Sequence, residues 1–387
     1  MRFAQLDPRH EPARVERIWR SLLETCPHHY FLSWGWISTW LDSLPAEQET
    51  RLVAGFMDEE PVLAFFLGTT IRKNAAHSWR IAALNATGNP YFDKIYQEYN
   101  AVLAHPDIRL DFDLFQRACH QIRWDELRLP GLAEEFTLLL GSLKDQPTRY
   151  NAFIEDDPPA FYIDLERVRQ HNLDYQALLS SNKRSQIRRS IKEYEKDGPI
   201  TLQEAQTPQE ALAFLHRLAE YHEREWQQRG QPGAFSNAYF FEFHRELIAR
   251  RFQHGELQLL RIATPGTELG YLYNFVYQGW IYCYQSGFNY LPGNIYRPGL
   301  ISDYFAILHN ARLGHQAYDF MAGDSEYKRS LATDSRRMHW MRLFRSRPAF
   351  LAWQFFNCIK TTARRFPVVY NLLMRLKKQV FPKKNER

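Results

Sequence analysis

The residues best able to do chemistry lie in the second half of the chain. Asp319 falls late in an expected strand, between Tyr318 and Phe320, and strand alternation points it away from both. A carboxylate there could take a proton from an attacking ammonium, or could accept backbone N–H groups at the strand end. Lys328 follows the turn at Gly323. Its ammonium could steady an oxyanion or hold a phosphate, or it could be a solvated lysine. Arg297-Pro298-Gly299 opens an expected helix. The free N–H groups there suit a phosphate, with Arg297 adding charge, and the plain alternative is a Pro-Gly turn. His222, Glu225, Trp226 and Arg229 stand at i, i+3, i+4 and i+7 and share one helix face. They read either as a base and a tryptophan platform facing an acceptor, or as an inward Trp with paired charges outside. Lys183, Arg184, Arg188 and Arg189 are the densest basic cluster outside the C-terminal tail. They fit an anionic ligand, or a solvated helix face.

Residues 271–290 hold nine aromatics. Tyr271, Tyr273, Phe275 and Tyr277 repeat at period two, as do Trp280, Tyr282 and Tyr284. Each set occupies one face of a strand. A core face and a tyrosine-lined ligand cleft both fit, because every hydroxyl needs a partner or water.

Other chemistries lack their residues. There is no Walker loop, GxGxxG or GxSxG, and His222-Glu223-Arg224-Glu225-Trp226 lacks the second histidine of a zinc helix. No metal site is expected. Cys26, Cys119, Cys283 and Cys358 show no metal or redox spacing and read as reduced thiols.

These residues need elements to hold them. Helical spacing predicts helices from about 11 to 26, 34 to 44 and 111 to 122 in the first half. In the second half it predicts helices over 175–197, 208–229, 240–251 and 300–313. Strands are expected at 51–57, 61–71, 79–84 and 124–129, the last ending at Pro130-Gly131. A second strand cluster falls at 257–263, 268–277, 280–287, 317–321 and 337–344. Both halves show helices, a hairpin, a strand, a loop, a helix and a strand, in that order, which is a weak internal duplication. The Asp- and Pro-rich stretch 145–160 reads as a linker. The expected class is α+β with mixed sheets, in two lobes.

The 387 residues exceed one hydrophobic core, and the composition (45% hydrophobic, 24% charged) supports packed domains. No apolar run is long enough for a membrane helix, and the first twenty residues show no secretory signal. The net charge of +5 is uneven. Residues 342–387 carry twelve Lys/Arg against one acid, leaving the rest of the chain at −6. Phe350, Trp353, Phe355, Phe356 and Tyr370 interleave with that charge. Such a tail suits an anionic membrane surface, an RNA contact, or a helix docked on the body.

Two stretches resemble a known family. One is Ser181-Asn182-Lys183-Arg184-Ser185-Gln186-Ile187-Arg188-Arg189 with Lys196-Asp197-Gly198. The other runs from Gly314 through Tyr318-Asp319-Phe320-Met321-Ala322-Gly323-Asp324 to Glu326-Tyr327-Lys328. Trp226-x-x-Arg229-Gly230, the Gly270 hairpin and Tyr296-Arg297-Pro298-Gly299 lie between them in matching order. Together they look like GNAT-superfamily acyltransferases of the BioF2-like (CelD-like) group, relatives of the Fem aminoacyltransferases. The match is strongest over residues 175–345.

The resemblance implies a two-lobed Fem-type architecture. Residues 1–150 would be a degenerate first GNAT-like lobe, 160–345 the acyltransferase lobe, and 346–387 a basic amphipathic tail. It implies transfer from acyl-CoA, such as acetyl-CoA, to an amine of an amino sugar, glycan precursor or related metabolite. Cell-envelope or exopolysaccharide synthesis is the expected setting. Asp319, Lys328 and His222 would be catalytic, and Arg297, Gly299, Arg184 and Arg188 would bind the CoA ester. Trp226, Arg229, Tyr273, Tyr282, Tyr284 and Tyr327 would bind substrate. The loop Arg297-Pro298-Gly299-Leu300-Ile301 departs from the usual GNAT pyrophosphate pattern. The Fem relatives imply charged tRNA as the alternative acyl donor, and a non-catalytic scaffold at a membrane is a further alternative. DNA is not an expected partner. The expected location is cytoplasmic, with peripheral contact at the inner face of the membrane.

Overall fold

The computed structural model describes residues 1–73, 78–120, 122–139 and 151–346, together with residues 348, 350, 351, 353 and 354. The first lobe begins with β1 (Arg2–Leu6) and α1 (Pro12–Thr25), a helix with proline in its first turn that buries Val15, Ile18, Trp19 and Leu22. α2 (Trp34–Ser43) starts at Ser33, whose hydroxyl accepts from Trp36 N–H at 3.2 Å. β2 (Glu49–Met57) and β3 (Glu60–Lys73) form a hairpin. Its turn residues Asp58 and Glu59 both take positive φ (47° and 67°), the twist a two-residue hairpin needs. β4 (Ser78–Leu84), β5 (Leu103–Ala104), α3 (Phe112–Cys119), β6 (Glu126–Ala133) and α4 (Glu134–Leu139) complete this half.

β6 runs through Pro130-Gly131, where the sequence suggests an end. The parallel partner β4 pairs only as far as Arg128. Asn100 takes over as the neighbour beyond it, and Pro130-Gly131 (Gly131 φ 58°) forms a bulge where the pairing with β14 slips between Leu129 and Leu132, so proline is tolerated and the strand continues.

The second lobe contains β7 (Asn151–Asp156), β8 (Pro159–Asp164), α5 (Leu165–Gln170), α6 (Ser181–Tyr194), β9 (Thr201–Glu204), α7 (Pro208–Gln228) and α8 (Ala238–Arg251). Then come β10 (Leu257–Ala263), β11 (Glu268–Tyr277), β12 (Trp280–Phe288), α9 (Pro298–Arg312), β13 (Ala317–Ala322), α10 (Glu326–Leu331) and β14 (Asp334–Phe344). The stretch read as a linker therefore contains β7 and the start of β8, with Asp157 and Pro158 as the bend between them.

The strands join into one mixed sheet, ordered β1-β2-β3-β4-β6-β14-β8-β13-β12-β11-β10-β9. The internal duplication is topological. In each half one strand pair is parallel, β4 with β6 and β12 with β13, with a helix between its members. β14 joins the halves. Asp334–Arg337 pairs with β8, and Met338–Phe344 pairs with β6.

The aromatic ladder is largely the seam between lobes. Tyr273, Phe275 and Tyr282 are almost fully buried in a core that also holds Trp19, Trp36 and Trp40 of the first lobe. Tyr30 stacks on Phe275 at 4.4 Å, and Trp36 lies edge-on to Phe275 at 5.6 Å. Burying one phenylalanine-sized side chain contributes about 1.5–3 kcal/mol, so this wall holds the lobes together.

The expected basic tail lies mostly outside the described residues. Two cations counted with it belong to the folded body. Arg342 is paired with Glu126 (2.8 Å) and Glu155 (2.6 Å), and Arg345 covers the Trp124 ring at 4.8 Å. Among the described residues no helix is long and apolar enough to cross a membrane.

Candidate active site

β12 and β13 pair in parallel for only three residues, from Trp280 with Ala317 to Tyr282 with Asp319, and then part. An extra residue in β12, Tyr284, shifts its register against β11 at the same level. The gap opens into a cleft of about 1200 Å³. α7 forms one wall and is held tightly against β12: a Cβ on Gly287 would overlap the Leu218 carbonyl.

At the mouth, α9 begins at Pro298 with no side-chain cap. The Gly299 and Leu300 N–H groups therefore lack intrahelical partners, and both residues line the cleft. Arg297 and Lys183 flank this turn, and neither has an ion-pair partner among the described residues. Burial lowers the Lys183 pKa, and the Arg297 charge lowers it further. Two cations beside free N–H groups give this end of the cleft the chemistry that suits an anion.

Deeper in stands Lys328. Its ammonium donates to Met321 O at 3.2 Å and Ala322 O at 2.8 Å. An ammonium has three donors, so one is left for the cleft. Asp303 of α9 lines the same space and accepts from Tyr327 and, at 3.4 Å, from Tyr318. Burial pushes Asp303 up to about 6 against those hydrogen bonds.

The first lobe contributes Glu98, which accepts Ala322 N–H at 2.8 Å. Burial raises its pKa to about 7, opposed by that N–H and by Lys328 and reinforced by Asp319. Neither Glu98 nor Asp303 stands out in the sequence motifs. Asp303 had one signal, being the sole acid in the otherwise apolar opening of α9. Glu98 had none, since its arrival depends on how the lobes dock.

Of the residues singled out from sequence, Lys328, His222, Arg297, Gly299, Trp226, Arg229, Tyr284 and Tyr327 line the cleft. Asp319, Arg184, Arg188, Tyr273 and Tyr282 do not. Asp319 is fully buried, with its oxygens taken by Tyr99 OH and Met321 N–H. Arg184 folds back onto the Leu179 carbonyl at 3.0 Å, and Arg188 points outward to Gln176 at 3.1 Å. Tyr273 and Tyr282 face His244 and His29 inside the lobe seam.

His222 reaches the cleft with both nitrogens engaged. Ala234 N–H donates to Nε2 at 3.3 Å, so Nδ1 carries the proton and donates to Ser286 O at 3.1 Å. That fixes a neutral ring that pins the 231–236 loop and leaves no lone pair for a substrate proton. Glu225 is paired with Arg229 at 2.5 Å, and Arg229 lies over the Trp226 ring at 5.6 Å. Among the described residues no group of three His, Cys, Asp or Glu could hold a metal.

Residues 181–329 match the family described as Acetyltransferase (GNAT) domain. The fold is similar to the crystal structure of FemX, with 9% identity over 88% of this chain and 97% of that one, TM-score 0.57. It is also similar to L-PGS from Bacillus licheniformis, with 12% identity over 89% and 96%, TM-score 0.50. A conserved protein of unknown function from Bacteroides thetaiotaomicron VPI-5482 is alike at 9% identity over 86% and 97%, TM-score 0.50. At these identities the likeness is one of fold. No curated protein matches the chain in sequence.

Proposed function

We propose, from the match of residues 181–329 to the acetyltransferase (GNAT) domain family and the likeness of the fold to FemX, that the chain moves an acyl group from a coenzyme A thioester to an amine. The acceptor would be an amino sugar, glycan precursor or related metabolite of cell-envelope or exopolysaccharide synthesis. The observation that carries this reading is the cationic mouth. Arg297, Lys183 and the free first turn of α9 open onto the cleft that also holds Lys328.

The phosphates of the acyl donor would rest on that turn. The amine attacks the thioester carbon and forms the C–N bond. Its proton passes to Glu98, whose pKa of about 7 suits a base at neutral pH. The charge on the carbonyl oxygen is steadied by Lys328. Collapse breaks the C–S bond, and the departing thiolate takes up a proton that Glu98 gives back. Trp226 and Tyr290 offer aromatic faces on which a sugar ring can lie. A neighbouring cavity of about 300 Å³, which shares Tyr96 and Glu98 with the cleft, gives room for a larger acceptor.

A second reading, aminoacyl transfer from charged tRNA, is favoured by one observation. Arg188, Arg189, Lys192 and Lys196 continue outward along and just beyond α6 from Lys183 and are exposed. A polyanion longer than CoA would follow them, and its binding would weaken steeply with salt. Contact of the tail with an anionic membrane, and a cytoplasmic or membrane-peripheral location, belong to the proposal as well. Titration with acetyl-CoA and with charged tRNA at low and high salt tests the acyl donor. Saturable binding of acetyl-CoA supports the first reading. Steeply salt-dependent binding of tRNA alone replaces it with the second.

A further inference from the structure

The end of β13 carries a bent peptide held from the opposite lobe. Met321 has φ 63°, a left-handed backbone that a non-glycine residue keeps only when its surroundings enforce it. Against β8 the register slips between Asp319 and Ala322, so the peptide bulges there. Asp319 supplies the restraint. Its Oδ1 accepts Met321 N–H at 2.6 Å, and its Oδ2 accepts the Tyr99 hydroxyl from the first lobe. Asp319 is 0% exposed and Tyr99 1%. Tyr99 itself has φ 50°, so a strained residue stands on each side of this hydrogen bond.

The bent peptide holds the two cleft charges. Ala322 N–H donates to Glu98 at 2.8 Å. Met321 O and Ala322 O accept from Lys328 at 3.2 and 2.8 Å. Glu98 and Tyr99 are neighbours in sequence. One short segment of the first lobe therefore grips the peptide and also grips the carboxylate that bends it. A fully buried tyrosine–carboxylate pair is costly unless both groups are satisfied, and here they satisfy each other.

We propose that Tyr99 and Asp319 are a positioning pair, an interlobe hydrogen bond that locks Met321 left-handed and so fixes Lys328 and Glu98 in the cleft. The chemical duty of Glu98 and Lys328 rests on the proposed function; their placement by Tyr99 and Asp319 does not.

The test therefore reads placement without needing turnover. The full chain is treated with acetic anhydride, and acetylation of each lysine is followed by mass spectrometry. Lys183 lines the same cleft from α6 and serves as control. Tyr99→Phe and Asp319→Ala should each raise the Lys328 rate about tenfold, the factor expected for losing a hydrogen bond to a charged group, and leave Lys183 unchanged. Asp319→Asn keeps an acceptor for Met321 N–H and should restore most of the protection. If Asp319→Ala does not fold, Tyr99→Phe decides, since it removes one hydroxyl from an otherwise unchanged ring. An unchanged Lys328 rate overturns the proposal, as does an equal rise at Lys183. Absence of acetyl-CoA turnover in the unaltered chain would count against the proposed function alone.

Discussion

Glu98 and Lys328 hold opposite poles of a single residue. Ala322 donates its N–H to Glu98 at 2.8 Å and accepts from the Lys328 ammonium through its carbonyl at 2.8 Å. One charge comes from each lobe. The pair therefore exists only while the lobes are docked, which gives the buried aromatic seam a role in chemistry as well as in stability.

Glu98 should govern the acid side of the pH profile. A base works only when ionised, and burial holds Glu98 at about 7. The ratio kcat/KM should therefore rise with pH, with unit slope below about 7, and level off above it. Glu98→Gln should cost about 10²–10⁴-fold and flatten that limb. A variant that keeps the same acid limb excludes Glu98 as the base.

Lys328→Met removes a charge without emptying its space. The expected loss is about 10²–10³-fold in kcat, with the KM for the acyl donor nearly unchanged. Steady-state kinetics separates the two constants. A large rise in KM with kcat intact would place Lys328 at the phosphates.

Arg297→Ala and Lys183→Ala should act in the opposite way. Each removes one charge-assisted contact and should weaken acetyl-CoA about tenfold by calorimetric titration, with kcat little changed. Unaltered affinity in both variants would move the anion site elsewhere.

His244 should make the fold acid-sensitive. It is fully buried between Tyr273 (3.3 Å) and Tyr284 (3.1 Å), and burial depresses its pKa to about 3. A depressed folded-state pKa means that the unfolded chain binds the proton first, near pH 6.5. The stability is complete above that pH and falls as pH drops towards 3, by roughly 2 kcal/mol between pH 7 and 5. Denaturation at both pH values should show that decrement as the difference between the unaltered chain and His244→Leu. The raised carboxylates Glu98 and Asp303 slope the other way but are common to both proteins, so the difference isolates the histidine.

Gly287→Ala tests the seating of α7. The new methyl would meet the Leu218 carbonyl, which is backbone and cannot rotate aside. A destabilisation of about 1–3 kcal/mol is expected in thermal unfolding, and no change would mean that α7 sits more loosely.

Much of this arrangement is legible in the residues themselves. Period two in the ladder gives β11 and β12, helical spacing gives α1, α2, α7 and α8, and the motif around Arg297 and Lys328 gives the cleft's mouth and floor. What is not legible depends on long-range docking. Tyr273 and Tyr282 look like cleft tyrosines because alternation defines a face without saying what covers it. The cover is the first lobe's Tyr30, Phe31 and Trp36. Asp319 looks like a base because its strand position is right, yet a tyrosine 220 residues away takes its oxygen. Glu98 sits in a stretch without periodicity, where left-handed Tyr96 and Tyr99 break any regular pattern.

The most direct measurement is single-turnover release of CoA thiol from acetyl-CoA, with and without a panel of amino sugars. Acyl transfer in the cleft requires amine-dependent release that Lys328→Met and Glu98→Gln both slow by at least about a hundredfold. Release that no amine stimulates, or that both variants sustain at the unaltered rate, would contradict it.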